Sequence, residues 1–288
     1  MATLQDIRRR ISGVEKTQKI TRAMKTVSAA KLGRASRAIA AARPYATKIR
    51  EVLGAVSQGV DPDAHPLLQV RTPVRKLDVV VFSSDRGLCG AFNHNIIKRA
   101  EALIVRRQAD LESVSLVCVG RKATEYFRRH SYGEVVHHWA GLGAVTQGAA
   151  EEIAQLLMSR YEAEASDQVV LVFSEFQSAL TQHPTDLALL PLSREEGAQE
   201  TADGISYEIE PNAESLLRLL VPRAVEFAIF RALLENQAGE HGARMTAMDN
   251  ATNNTEELIE SLTRTFNKAR QSAITGELVE IVSGAEAL

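Results

Sequence analysis

The chain holds only two cysteines in 288 residues, Cys89 and Cys118, which form no CxxC and sit beside no histidine cluster at ligand spacing. That excludes a disulfide framework and a zinc-finger pattern, and the expectation is two free, reduced thiols. No run of eighteen apolar residues occurs, so no membrane-spanning helix is expected. The opening "MATLQDIRRRISGVEK" lacks the apolar block of a secretion signal. Its charged and apolar residues already alternate at helical spacing from Leu4, which argues against a transit peptide as well. The expectation is a mature chain that begins here and stays in the cytoplasm. Residues 1–50 hold a single aromatic, Tyr45, which disfavours single-stranded nucleic-acid binding, since that wants stacking platforms. After Pro222 there is no further proline at all.

What is present is polarised. The net charge is only −2, yet residues 1–50 carry 13 Lys and Arg against two acids, Asp6 and Glu15. Such a segment should meet a negative partner. Its apolar residues Leu4, Ile7, Ile11 and Val14 step by three and four, and Ile20, Met24 and Val27 resume that stepping beyond polar Thr17 and Gln18. This a/d seam predicts one helix over about 3–56 with a helical partner, roughly 75 Å long. The seam turns small at "SAAKLGRASRAIAAARPYA", where another backbone could come close, and Pro44 is expected to bend or break the helix.

Residues 74–210 change period. "LDVVVFSS", "SVSLVCVG", "EVVHHWA" and "DQVVLVFSEF" read as strands, with helices at "NHNIIKRAEALIVRRQ", "RKATEYFRRH" and "TQGAAEEIAQLLMSRYEAEA" between them. Edge strands are expected around "LALLPL" and "ISYEIE", on either side of an exposed loop, "SREEGAQETADG". The alternation predicts a mainly parallel sheet covered by helices, a Rossmann-like α/β domain. Residues 212–288 are helical again, with "NAESLLRLLV" as a short lead-in and Pro222 early in the next helix. That helix would be on the order of 95 Å long. Its seam is read along Val225, Ile229, Ala232, Asn236, Gly239, Ala243, Thr246 and Asn250, and later along Leu258, Leu262 and Phe266.

Two long helices at opposite ends of a chain, with a domain between them, can pair only antiparallel. Pro44 and Tyr45 should then lie near Pro222, and the C-terminal helix should outrun its partner by about ten residues or more. The tip would expose Ile274, Leu278, Ile281, Val282 and Leu288, which makes sense inside a sleeve of other chains. The pattern is that of an axle.

One stretch competes with this reading. "VVVFSSDRGLCGAFN" runs from a β-branched strand into a turn with Gly87 and Gly90, as phosphate-binding loops do. It lacks both GxxxxGK[ST] and GxGxxG, so a tight strand-to-helix turn using the freedom of both glycines is the plainer account. Asp85 and Arg86 are expected to form a salt-bridged turn rather than a catalytic pair. His137 and His138 beside Trp139 have no third metal ligand in reach and fit a strand with alternating exposure. The alternatives that remain are an α/β enzyme binding a phosphorylated ligand at 83–92, and a basic coiled coil binding duplex phosphates.

"TQKITRAMKTVSAAKL", "SSDRGLCGAFN", "EHGARMTAMDNAT" and "NKARQSAITGELVEIVSGA" together resemble the gamma subunit of ATP synthase, in order and spacing over essentially the whole chain. The resemblance implies a non-catalytic central shaft without cofactor or metal. It would turn inside three alpha and three beta subunits, with its foot on the epsilon subunit and the c-ring. The implied place is the cytoplasmic face of the bacterial plasma membrane, peripherally attached. By the same resemblance Met24 and Arg244 meet the beta-subunit levers, at one height if each lies about twenty residues from the proline pair. Arg270, Gln271 and Thr275 resemble a polar ring that engages the catalytic subunits, and Tyr207 a foot residue on the c-ring. The basic face of Lys16, Lys19, Arg22, Lys25, Lys31 and Arg34 would meet acidic beta segments. Gly242 stands where the family usually has alanine and Gly276 where glutamine is common. No inserted cysteine-pair segment is present, so thiol switching is not expected.

Overall fold

The computed structural model describes residues 3–57, 65–192 and 212–286. Helix α1 spans Leu4–Ser57 and helix α5 spans Ala213–Glu286, and an α/β domain lies between them in sequence. That domain runs β1 (Lys76–Phe82), α2 (Phe92–Arg107), β2 (Ser113–Val119), α3 (Arg121–Phe127), β3 (Glu134–Trp139), α4 (Gln147–Glu162), β4 (Gln168–Phe176) and β5 (Gln182–Leu190). The sheet order is β3-β2-β1-β4-β5, parallel except for β5, which pairs antiparallel with β4. This is the expected mainly parallel sheet. The strand expected at "ISYEIE" lies outside the described residues.

Alternation along the strands sorts the core into two layers. Val80, Phe82, Val117, Val119, Leu171 and Phe173 face α4 and α5, while Val79, Val81, Leu116, Cys118 and Val172 face α2 and α3. Both faces are covered, which is why β1 is apolar almost throughout. One charge enters this core. Asp78, on β1, is 1% exposed and takes two hydrogen bonds from Arg160 of α4, at 2.7 and 3.0 Å. Strand β3 departs from the expected alternation: His137 and His138 are both exposed, because pairing with β2 slips a residue between Leu116 and Val117.

Neither proline ends a helix. Pro44 lies inside α1, and α5 begins at Ala213 rather than near Pro222. A proline removes one backbone bond from a helix, but Leu217, Val221 and Val225 are all buried in the domain core and hold α5 on both sides of Pro222.

The seams match the expected ones only in part: Leu4, Ile7, Ile11 and Val14 on α1 and Leu262 and Phe266 on α5 lie in them as expected. On α1 two rows of positions kept from solvent repeat every seven residues, with Met24, Ser36 and Ala38 partly covered beside them. Ile7, Val14, Thr21, Ser28, Ala35, Ala42 and Ile49 form one row, and Leu4, Ile11, Gln18, Lys25, Leu32, Ile39 and Ala46 the other. A strict heptad drives left-handed supercoiling. Here it runs through polar residues and leaves apolar Ile20 and Val27 outside, 60% and 56% exposed. On α5 the row toward α1 is Leu234, Ala238, His241, Met245, Met248, Thr252, Thr255, Ile259, Leu262 and Phe266. The row read from the sequence as that seam, Val225 to Thr246, is a second stripe that packs on the α/β domain. Leu258 is 47% exposed. An aliphatic pattern in one helix cannot say which of two partners it meets.

Candidate functional site: the paired helices and the loop that clasps them

Four contacts fix the antiparallel register. Tyr45 packs on Phe227 with ring centroids 4.8 Å apart. Thr21 and Thr252 share a buried hydroxyl hydrogen bond of 2.8 Å. Lys25 Nζ meets Asp249 at 2.5 Å, and the Arg8 guanidinium lies 5.5 Å from the centre of the Phe266 ring. Tyr45 is thus level with Phe227, about a turn further along α5 than Pro222. Met24 is level with the neighbourhood of Asp249, so it and Arg244 are not at one height. They differ by about five residues, on the order of 7 Å along the axis. The proline pair misplaces them because α5 had already run two turns before Pro222.

Lys25 departs from the expected free basic face, since it sits in the seam with Asp249. Lys16, Lys19, Arg22, Lys31 and Arg34 are exposed. Beyond Ala269 every residue through Ser283 is exposed, including Ile274, Leu278, Val279, Ile281 and Val282. α1 ends below that point, so the last turns of α5 stand alone, as expected. Arg270, Gln271 and Thr275 lie on this stretch, and the Thr275 hydroxyl donates to the Gln271 carbonyl at 2.9 Å. Tyr207 lies outside the described residues.

The loop after β1 folds onto itself. Ser84 N–H donates to Asn93 Oδ1 at 2.9 Å, and its hydroxyl donates to the Arg86 carbonyl at 2.6 Å. Asp85 forms no salt bridge with Arg86. Its carboxylate accepts the backbone N–H of Arg121 at 3.0 Å and of Gly141 at 2.9 Å, capping α3. The positive backbone angles belong to Leu88 (φ 63) and Gly90 (φ 57), not to Gly87.

The loop's carbonyls then meet α5. Arg244 donates to Gly87 O at 3.2 and 3.3 Å and to Arg86 O at 3.2 Å, with Glu240 at 2.7 Å on its other side. Its side chain is only 11% exposed. In open doubly wound sheets ligands bind outside the strand C-terminal ends, where the chain switches direction. Here that crevice lies between β1 and β4, and α5 fills it. A Cβ at Gly239 would stand 3.0 Å from Phe92 and 3.3 Å from the Ser174 hydroxyl. The loop thus turns the carbonyls of Arg86 and Gly87 to a guanidinium of the chain itself, and α5 occupies the crevice beside it. Gly239 is the residue that sequence reasoning assigned to the wrong face, and a glycine inside an otherwise unbroken helix is the signal for such a close approach.

Three polar atoms of α5 are buried without a partner among the described residues: Glu235 Oε2, Asn236 Oδ1 and His241 Nδ1. Burial lowers the His241 pKa to about 4, with Arg244 and Lys31 adding to the effect. Neutral imidazole therefore fills the seam.

A family profile described as ATP synthase matches residues 3–288. The ATP synthase gamma chain of Pelotomaculum thermopropionicum is 46% identical over 289 residues, covering all of both chains. That of Desulforamulus reducens is 47% identical over 291 residues, again covering all of both. Among solved structures, the central stalk and c-ring of the Tetrahymena thermophila mitochondrial ATP synthase match with a TM-score of 0.61 at 23% identity, covering 81% of this chain and 99% of that one. The rotor of the Euglena gracilis mitochondrial enzyme matches at 0.64 and 16% identity, covering 94% and 98%. At those identities the structural likeness speaks for the fold.

Proposed function

The chain belongs to the ATP synthase gamma-chain family, and from that membership we infer that it is the central-stalk rotor of an F-type ATP synthase. It carries no catalytic residues of its own. Three alpha and three beta subunits surround the shaft, and the foot stands on the epsilon subunit and the c-ring. Proton flow turns the ring, the foot follows, and the asymmetric shaft presents a different face to each beta subunit in turn. Contacts that differ between conformations shift each nucleotide site among affinities, so coupling is mechanical. Hydrolysis runs the same steps backwards.

The reading divides the chain into a shaft helix over 1–56, a foot over 74–210 and a second shaft helix over 212–288. The single observation that carries it is the lone apolar end of α5, which needs a sleeve. Arg270, Gln271 and Thr275 on that end are the proposed contacts to the surrounding subunits. Met24, between exposed Ile20 and Val27 on α1, supplies a contact lower down. Arg244 serves the same contact zone through the loop it holds. Lys16, Lys19, Arg22, Lys31 and Arg34, with partly exposed Lys25, present positive charge to acidic beta segments. Tyr207 is the proposed foot contact on the c-ring.

No described helix is long and apolar enough to cross a membrane, so attachment runs through the c-ring and is peripheral. The bacterial relatives support the cytoplasmic face of the plasma membrane.

The test is assembly. Expressed with the alpha and beta subunits, the chain should co-purify stoichiometrically, and truncation after Arg270 should abolish coupled synthesis. Failure to co-purify would sink the reading. Micromolar binding of ATP to the isolated chain, measured by calorimetry, would favour the α/β enzyme instead, and salt-sensitive retention on duplex DNA would favour the nucleic-acid binder.

A further inference from the structure

Between α1, α5 and the end of β4 lies a cavity of about 250 Å³. Phe176, Phe227, Ile39 and Leu234 give it apolar walls. On the α5 side Arg231 donates to Glu235 Oε1 at 2.7 Å and stands 3.9 Å from Glu175. Two carboxylates thus share one guanidinium. Glu235 is the more deeply placed of the two, its side chain 7% exposed, and its Oε2 has no partner among the described residues. A buried carboxylate oxygen without a donor is costly. Across the cavity Arg43 of α1 is exposed and forms no ion pair among the described residues.

We propose that this cavity is a binding site for a small organic cation, an ammonium or guanidinium carried on an aromatic or branched apolar body. The head supplies the donor that Glu235 lacks, entering past the Arg231 side chain. The body lies against Phe176 and Phe227, whose ring faces also attract a cation. A bare metal ion does not fit, because a guanidinium already stands between the two carboxylates and the remaining walls are largely apolar. The site is independent of the rotor reading, and its occupant would bridge α1, α5 and the foot.

The probe is phenethylamine, titrated by calorimetry into the full-length chain, with phenethyl alcohol as its uncharged match. Submillimolar binding of the amine is expected, at least tenfold weaker for the alcohol and at least tenfold weaker in Glu235→Gln. Ala46→Phe, which fills the cavity without altering a charge, should abolish binding while the chain keeps its helical circular dichroism. No binding to the unmodified chain overturns the proposal, as it would if Arg43 swings over to satisfy Glu235 in solution. Equal binding of amine and alcohol, or unaltered binding in folded Glu235→Gln, also overturns it. Co-purification with alpha and beta subunits is unaffected by any of these results.

Discussion

In the foot, β1 buries six of its seven residues between two helical layers. In the middle of the shaft, the heptad positions of α1 hold Gln18, Thr21, Lys25 and Ser28. The foot is held by apolar area, at about 25 cal/mol per Å² removed from water, with one buried ion pair inside it. The shaft spends its central seam on a threonine pair, a lysine–aspartate pair and a neutral histidine. Polar residues at a and d cost stability but specify register. A two-helix shaft has few other ways to keep its helices from sliding, whereas a sheet of interlocked strands has no register left to choose. The foot is therefore built for stability and the shaft for alignment.

The sharpest way to break the comparison is at Asp78, the buried carboxylate inside the foot's sheet. Asp78→Ala leaves Arg160 half-buried with its carboxylate gone and only Ser115 Oγ, at 3.0 Å, still accepting from it. Losing one partner of a buried pair costs about 3–5 kcal/mol, and chemical denaturation should register a loss of that order. The Asp78→Asn variant should recover part of it. If Asp78→Ala unfolds at the same denaturant concentration as the parent chain, apolar burial alone holds the foot.

His241 tests the shaft by pH. Its pKa is near 4 in the folded chain and about 6.5 unfolded. The unfolded state takes up the proton first as pH falls, so stability is fully present above about 6.5 and is lost progressively toward 4. The loss amounts to about 3 kcal/mol at most. Denaturation of the parent chain and of His241→Gln across pH 4 to 7 should show the slope shrinking in the variant. An unchanged slope would mean that carboxylates elsewhere govern acid sensitivity.

Arg244 joins the two regions. Hydrogen bonds to a charged donor are worth about 1.5–3 kcal/mol, part of which solvent returns, so Arg244→Ala should cost about 2 kcal/mol. Its more telling signature is local: amide hydrogen exchange should accelerate across residues 84–90, while β2 stays protected. Exchange that rises equally throughout the foot would deny the clasp its place.

The foot was largely legible in the sequence, because strand and helix periods alternate cleanly and each strand must be covered on both faces. The lone tip was legible too, from helix lengths and the run from Ile274 to Val282. What stayed hidden has one physical source. α5 meets two partners, and the stripe from Val225 to Thr246 serves the sheet while the stripe from Leu234 to Phe266 serves α1. Both have helical spacing, so periodicity alone cannot separate them, and the more aliphatic one draws the eye. The same ambiguity misplaces Ile20 and Val27, which are apolar yet lie outside a seam that continues through Thr21 and Lys25. The loop 83–93 was legible as a turn but not as a clasp, since Arg244 is 157 residues away from Gly87.

The smallest effect separates the regions by sign, through two glycines that both look like weaknesses in a helix. At Gly276 an added Cβ meets nothing within 4 Å, because the tip stands free. Gly276→Ala should therefore stabilise the helix by about 0.5–1 kcal/mol, the ordinary propensity gain. At Gly242 the same Cβ would stand 3.3 Å from the backbone of Ala179, in the turn that joins β4 to β5. That turn has little freedom to yield, since Ala179 O already accepts from Gln182 Nε2 at 2.8 Å and from the Thr246 hydroxyl at 3.3 Å. Overpacking a fixed contact costs about 1 kcal/mol or more, so Gly242→Ala should lower the melting temperature where Gly276→Ala raises it. Gly242, like Gly239, then lets α5 lie against the foot, whereas Gly276 is a place where the shaft is softer than it needs to be. If both substitutions stabilise, the close approach of α5 to the 178–182 turn is looser than its backbone distances require.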